Sequence, residues 1–206
     1  MSKQKSKGLF IALYGANGVG KTTQALKLLE RINKTERWIA QYLKFPNYTL
    51  QPTGPRINDY LRKGNPEQFT VEQFQELCAQ NRRDAEPRIK ELLAEGSVVV
   101  AEDWTNTGIV WGIATGVPKE KIYEMNSGFL EEDVSILLVG KPFADGKEKG
   151  HVFEGNAHLL SVVRREYLLM ADDRGWSFVS AKQTEDRVHD NIWDIVKPAL
   201  NNNLKR

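Results

Sequence analysis

Five short apolar stretches recur along the chain, at intervals that leave room for a helix between them. Each stretch is rich in residues that favour β-strands. The stretches are residues 8–14, 38–45, 97–102, 134–139 and 176–180. Strands that alternate with helices predict an α/β fold with a five-stranded parallel sheet flanked by helices on both faces.

The segments between the strands have the spacing of amphipathic helices. Two helical faces are predicted, the first from Ala25, Leu28, Leu29 and Ile32, and the second from Val71, Phe74, Leu77, Cys78 and Asn81. Pro87 opposes a continuous helix, because its ring meets a preceding carbonyl and the residue before it is pushed out of the α conformation. We therefore expect the long helical region to divide near Ala85.

The chain of 206 residues predicts a single domain, 1–206, with one sizeable core. One stretch stands apart, "GKPFADGKEKGHVFEGN" from residue 140, which holds four glycines and three lysines and has almost no periodicity. It predicts a small mobile lid at about residues 140–157.

Composition narrows the classes of partner. A net charge of +2 provides no basic field that would favour a nucleic acid or an anionic membrane, so an affinity for anions must be local. The single cysteine, Cys78, cannot form an intrachain disulfide. The first apolar run is too short for a signal core or a membrane span. We expect a cytoplasmic protein that binds neither nucleic acid nor membrane.

A phosphate-binding motif follows the first predicted strand. Gly15, Gly20, Lys21 and Thr22 satisfy the pattern G-x-x-x-x-G-K-[ST], and the motif opens an amphipathic helix, as its mechanism requires. Glycines let backbone amides curl around phosphate oxygens, the lysine adds a positive charge, and the threonine hydroxyl suits Mg²⁺. The predicted ATP contacts in this loop are Gly15, Asn17, Gly18, Gly20, Lys21, Thr22 and Thr23.

Two carboxylates follow the third predicted strand. Glu102 and Asp103 emerge from the apolar run that ends at Ala101, at the edge of a parallel sheet where ligands bind. A nucleotide triphosphate site needs such a carboxylate to hold the water shell of its metal. We expect Thr22 and Glu102 to bind Mg²⁺, with Glu102 and Asp103 in catalytic roles beside Lys21.

Ordered landmarks along nearly the whole chain resemble the thymidylate kinase family. They are "GVGKTTQ", "LKFPN" at 43–47, "GPRINDYL" at 54–61, "AQNRRD" at 79–84, "TGIVWGIATG" at 107–116, "VFEGN" followed by "RREYLLMA", and "SAKQTEDRVHDNI" at 180–192. The resemblance implies a P-loop NTPase fold and an enzyme that moves the γ-phosphoryl of ATP to dTMP. It also implies Mg²⁺ as cofactor and a homodimer.

The resemblance implies roles for the residues at positions that match the family's motifs. Phe45 would lie against the acceptor nucleotide, Arg82 would reach its base, and Trp111 would stack on it. Asn17 occupies the position where the family's usual aspartate meets the sugar. On the donor side, the resemblance implies that Ala181 and Lys182 border the adenine and that Lys147 and Lys149 of the lid approach the transferring phosphoryl.

The chain departs from the family in the acceptor half of the site. Tyr48 replaces the arginine of F-P-x-R, Asp103 replaces the arginine of the Asp-Arg-Tyr triplet, and Cys78 replaces a base-stacking aromatic residue. A dianionic acceptor needs cationic partners in a cleft poor in water. Arg56, Arg62 and Arg83 are candidates to replace the lost arginines, and we expect Arg56 first.

Two other functions stay open at this stage. The same fold could phosphorylate another deoxynucleotide or, with two phosphate-binding arginines replaced, an uncharged nucleoside. A module that binds ATP without transferring phosphate is the non-enzymatic alternative. A GTPase switch is disfavoured, because the chain has no N-K-x-D motif.

Overall fold

The computed structural model describes residues 7–143, 152–153 and 156–203. The strands in these ranges are β1 Leu9–Tyr14, β2 Ala40–Lys44, β3 Val98–Glu102, β4 Val134–Val139 and β5 Ser177–Ser180. The helices are α1 Lys21–Asn33, α2 Thr53–Arg62, α3 Val71–Ala94, α4 Thr105–Ala114, α5 Lys119–Met125, α6 Ala157–Asp173 and α7 Glu185–Asn203.

All five predicted strands are confirmed, and they form one parallel sheet in the order β2-β3-β1-β4-β5. Because β1 lies at the centre, its carboxyl end meets the carboxyl ends of β3 and β4. Leu13 is paired with Glu102, and Lys44 is paired with the same glutamate from the other side. The sequence after each of these strands therefore reaches one edge of the sheet.

Both faces of the sheet are covered, as the apolar pattern predicts. Alternate residues of β1 face opposite sides, so Phe10 lies in a core with residues of α3, α4 and α6, whereas Ile11 lies in a core with residues of α1 and α7. On α1 the predicted apolar face is buried at Leu28 and Ile32. The central strand is thus fully enclosed and fixes the position of the loop that follows it.

The division predicted near Ala85 is wrong, because α3 continues through Pro87. Apolar residues on both sides of the proline are buried, with Ala79 before it and Ile89 after it. This packing along the helix offsets the lost backbone hydrogen bond. At the start of α3, Val71 is exposed, and Thr70 and Gln73 form a reciprocal capping box.

Two residues of the predicted lid form backbone hydrogen bonds with other parts of the chain. The backbone amide of Phe143 donates to the carbonyl of Gly18 at 2.9 Å, and the amide of Val152 donates to the carbonyl of Leu61 at 3.0 Å. Lys147 and Lys149 lie outside the described residues. No helix within the described part of the chain is long and apolar enough to cross a membrane.

Two isoleucines provide a test of the central core. Ile11 is 0% exposed in β1, whereas Ile39 is 67% exposed just before β2. Ile11→Ala should lower the free energy of unfolding by about 2–5 kcal/mol, through lost burial and a residual cavity. Ile39→Ala should stay within about 0.5 kcal/mol of the wild type. Urea unfolding measures both, and equal losses would contradict the enclosed position of β1.

Candidate active site

The loop between β1 and α1 depends on glycines in the left-handed region. Gly18 and Gly20 have φ values of 76° and 91°, which side chains rarely adopt. At Gly15 a Cβ would lie 2.8 Å from the carbonyl oxygen of Leu138 in β4. The loop precedes the N-terminus of α1, whose first turn contains no acidic residue. The positive end of this helix is therefore available to an anion.

Lys21 lies under this loop and is 6% exposed. Its Nζ donates to the carbonyl of Gly15 at 2.8 Å and to the carbonyl of Ala16 at 3.3 Å. The carboxylate of Asp103 lies 3.5 Å away. A buried ammonium group is thus held beside the loop amides, where it can move onto a phosphate oxygen.

Glu102 joins the loop to the neighbouring strands. Its Oε1 accepts from the hydroxyl of Thr22 at 2.9 Å, and its Oε2 accepts from the hydroxyl of Tyr42 at 2.5 Å. Burial and this carboxylate raise the pKa of Tyr42, so its hydroxyl stays a donor. Lys44 Nζ lies 3.4 Å from Oε1. The paired oxygens of Thr22 and Glu102 fit the hard ligands that Mg²⁺ prefers.

No group of three or more His, Cys, Asp or Glu side chains suited to a metal ion occurs among the described residues. A magnesium ion that keeps several waters and binds substrate phosphates does not need such a cage. The binding of Mg²⁺ by Thr22 and Glu102 stays a prediction, and the two side chains lie within hydrogen-bond distance of each other.

Asp103 is buried where the resemblance places an arginine in the family. Its φ is 65°, and its Oδ1 accepts from the hydroxyl of Thr107 at 2.8 Å and from the hydroxyl of Tyr167 at 3.5 Å. Burial raises the pKa of Asp103, and the ammonium of Lys21 opposes that rise. This carboxylate therefore costs stability when it is charged.

One cavity of about 370 Å³ extends from the phosphate loop to an aromatic chamber. Of the predicted site residues, it is lined by Asn17, Gly18, Gly20, Lys21, Thr22, Thr23, Phe45, Tyr48, Arg82, Glu102, Asp103 and Trp111. The structure thus brings these residues of the predicted donor and acceptor halves to the same cavity.

The aromatic chamber contains residues that sequence reasoning did not select. Phe74 and Phe153 line the cavity, and the rings of Phe153 and Trp111 lie 5.5 Å apart. The sequence places Phe74 on a predicted helical face and Phe153 within the predicted lid, and it predicts a site role for neither. Cys78 also lines the chamber. Burial raises the pKa of its thiol to about 12, so the side chain stays protonated and forms a small uncharged part of the cavity lining.

Arg82 is 2% exposed at the inner end of the cavity. Its Nη2 donates to Asn126 Oδ1 at 2.8 Å, and its Nε has no hydrogen-bond partner among the described residues. Burial lowers the pKa of Arg82, although a guanidinium keeps its proton in proteins. Gly108 leaves room for it, because a Cβ there would lie 2.2 Å from Nη2. A buried donor without a partner suits a ligand acceptor.

Of the predicted site residues that the structure describes, four do not line the cavity: Gly15, Arg56, Ala181 and Lys182. Arg56 instead gives its guanidinium to Glu67, with contacts of 3.0 Å from Nε and 2.7 Å from Nη2. Ala181 is buried against Gly140 and its amide donates to Val139. The expected roles of Arg56, Ala181 and Lys182 stay predictions.

Lys44 is the cation that sequence reasoning missed. It lines the cavity, whereas Arg56 does not. The segment "LKFPN" could have indicated this position. Lys44 ends β2, which pairs with β3, so it reaches the same edge of the sheet as Glu102.

The fold and the site together define a nucleotide-binding protein of the phosphate-loop α/β class, with an aromatic chamber in the same cavity as the loop. The family model for thymidylate kinase matches residues 13–192. The chain belongs to the thymidylate kinase family.

Relatives agree with this membership. The chain is 31% identical over 195 residues to the thymidylate kinase of Danio rerio, covering 92% of the chain and 90% of the relative. It is 26% identical over 192 residues to that of Dictyostelium discoideum, covering 92% and 85%. The solved thymidylate kinase of Candida albicans matches with a TM-score of 0.79 at 21% identity, covering 96% of this chain and 94% of that chain.

The buried carboxylate of Asp103 gives a pH-dependent prediction. Because its folded pKa is raised, its contribution to stability is fully present below its ordinary pKa of 3.8 and is lost as pH rises through the folded pKa. Asp103→Asn removes the charge and tolerates a positive φ. The variant should melt at a higher temperature than the wild type at pH 7, and this difference should shrink towards pH 4.

Thermal unfolding across this pH range measures the effect. Asp172→Asn, an exposed change on α6, is the control and should not alter the pH dependence. A lower Tm for Asp103→Asn at pH 7 would mean that the ion pair with Lys21 outweighs the cost of burial.

Proposed function

We propose that this protein transfers the γ-phosphoryl group of ATP to dTMP. The observation that carries the proposal is the single cavity that joins the phosphate loop to an aromatic chamber containing the buried Arg82. Membership of the thymidylate kinase family supports an ATP-dependent nucleotide kinase.

The donor side supplies positive charge without covalent chemistry. The amides of the phosphate loop and the N-terminus of α1 face the triphosphate, and Lys21 moves from its carbonyl contacts to the β- and γ-phosphate oxygens. Thr22 and Glu102 would hold Mg²⁺, which would supply neutralisation of the phosphate charge. Catalysis then depends on positioning and electrostatics.

The acceptor side suits a pyrimidine nucleotide. Phe45 and Trp111 offer aromatic surfaces, and the unpartnered Nε of Arg82 can donate to a base carbonyl. Asn17 lines the cavity beside the loop, where it can contact the sugar. A base bound deep in the chamber would direct its 5′-phosphate back towards Lys21.

Other features of the proposal rest on the family resemblance or on composition. They are the approach of Lys147 and Lys149 to the phosphoryl group, the adenine contacts of Ala181 and Lys182, the homodimer and the cytoplasmic location. Enclosure by a lid would exclude water, which otherwise competes with the acceptor.

An acceptor panel with labelled ATP and Mg²⁺ tests the function. We expect phosphate transfer to dTMP above other nucleoside monophosphates and above thymidine. Transfer only to nucleosides without a 5′-phosphate would replace dTMP with a nucleoside as the acceptor, and Asp103 would support that outcome. ATP binding without any product would leave a nucleotide-binding module.

A matched pair of lysines on α1 serves as control for this panel. Lys21→Met should reduce kcat by on the order of 10²–10³-fold, the cost of losing one preorganised contact in phosphoryl transfer. Lys27→Met should retain activity, because Lys27 pairs with Glu185 and Asp186 away from the cavity. Full activity of Lys21→Met would exclude the proposed donor site.

A second pair, on α3, tests base recognition. Arg82→Met should raise KM for dTMP by roughly 10- to 100-fold, the value of a hydrogen bond from a charged group, with little change in KM for ATP. Arg88→Met is the control, because Arg88 is exposed and paired with Glu91. Steady-state kinetics measures both variants. If KM for ATP rises equally with Arg82→Met, Arg82 does not act on the acceptor alone.

A further inference from the structure

A second cavity of about 1170 Å³ lies apart from the active-site cavity. The two cavities share no lining residue among those that the structure describes. Helix α4 lies between them, because Thr107 and Trp111 line the active-site cavity whereas Asn106 and Ile109 line the second one. A ligand in the second cavity would therefore not use the residues proposed to bind the two nucleotides.

Carboxylates dominate the charge of this second cavity, which we call the acidic cavity. Its lining includes five of them, which are Glu120 and Glu124 of α5 and Glu131, Glu132 and Asp133 before β4. Of the described residues that line it, the one cation is Arg174, which is exposed. None of the five carboxylates forms an ion pair within the described part of the chain.

The lysines of α5 do not neutralise these carboxylates. Lys121 is paired with Glu72 of α3, and neither Lys121 nor Lys119 lines the acidic cavity. Negative charge without a fixed counter-ion attracts a cation. An acidic surface can also remain hydrated, so a binding site needs a further observation.

A buried amide supplies the observation that points to a ligand. Asn106 is 2% exposed and lines the acidic cavity. Its Nδ2 donates to the hydroxyl of Tyr14 at 3.1 Å and to Glu132 Oε1 at 3.0 Å. Its Oδ1 accepts no hydrogen bond from the described residues. A buried acceptor without a donor is costly, so a ligand that brings an N–H group into the cavity would be favoured.

Glu132 presents a second acceptor beside Asn106. Its Oε1 accepts from the hydroxyl of Tyr14 at 2.7 Å and from the hydroxyl of Ser135 at 2.9 Å, as well as from Asn106. Burial and the charge of Glu132 raise the pKa of Tyr14, so that hydroxyl stays a donor to the carboxylate. No donor to Oε2 occurs among the described residues. A fixed carboxylate next to an unpartnered amide oxygen suits an ammonium group.

Two observations favour an organic polyamine over a metal ion. No group of three or more His, Cys, Asp or Glu side chains in the described ranges is arranged to hold a metal. The carboxylates are divided between α5 and the segment before β4, and Ile109, Phe129 and Trp176 add apolar surface to the same cavity. Several ammonium groups suit separate carboxylates, and the methylene groups between them suit the apolar surface.

We infer that the acidic cavity binds a linear aliphatic polyamine, one of whose ammonium groups donates to Asn106 Oδ1 and Glu132 Oε2. The inference goes beyond the proposed function and does not depend on it, because it concerns residues outside the active-site cavity. Phosphoryl transfer and polyamine binding are measured separately, so either can fail without the other.

Isothermal titration calorimetry of the full chain with spermidine, at fixed ionic strength and without nucleotides, tests this inference. We expect one spermidine per chain in the wild type. Glu132→Gln should weaken binding by about 10- to 100-fold, the value of a hydrogen bond between charged groups. Glu95→Gln is the matched control, because Glu95 is exposed and does not line the cavity. Its affinity for spermidine should stay within about twofold of the wild type.

Asn106→Leu tests the unpartnered amide oxygen and should also weaken spermidine binding. Circular dichroism checks that each variant is folded, and Glu132→Gln decides the result if Asn106→Leu does not fold. The inference is overturned if the wild type does not bind spermidine, if Glu132→Gln keeps the wild-type affinity, or if Glu95→Gln weakens binding equally.

Two other ligands test the class of cation. Butylamine has one ammonium group and should bind more weakly than spermidine by at least about tenfold, because it cannot reach separate carboxylates at once. Mg²⁺ at equal ionic strength should not displace spermidine. Equal affinity for butylamine, or displacement by Mg²⁺, would overturn the assignment to a polyamine.

Discussion

The site depends on a backbone that only glycine tolerates. Gly18 and Gly20 adopt left-handed φ values, and Gly15 lies against the carbonyl of Leu138. These conformations leave the N-terminus of α1 open at the edge of the sheet. Because β1 is central and buried on both faces, the loop is held rigidly next to β3 and β4. A preorganised anion site follows from this arrangement.

Two buried charged groups in the cavity, Arg82 and Asp103, lower the stability of the protein by itself and suit interaction with a ligand. Arg82 is buried with an amide as partner and an unsatisfied Nε, and Asp103 is buried with a raised pKa. Each costs stability where it lies. Such costs are expected where a fold holds groups ready for substrate phosphates and carbonyls.

Much of the fold and the donor site could be predicted from local patterns. Short apolar runs determine the five strands, and the spacing of Gly15, Gly20, Lys21 and Thr22 carries its own mechanism. Glu102 could be predicted as a site residue because it lies at the carboxyl end of β3. The continuity of α3 at Pro87 could not be predicted locally, because buried residues on both sides of the proline decide it. Arg56 and Lys44 are cations whose roles depend on tertiary partners, Glu67 in one case and the cavity in the other.

The central claim is that one cavity holds the phosphates of ATP at one end and a thymine nucleotide at the other. A bisubstrate ligand, with adenosine and thymidine joined through five phosphates, tests it by calorimetry. The account predicts one ligand per chain, an affinity well above that for ATP or dTMP alone, and complete loss of dTMP binding once the ligand is bound. An affinity no greater than that for ATP, or dTMP binding that persists beside the bisubstrate, would contradict it.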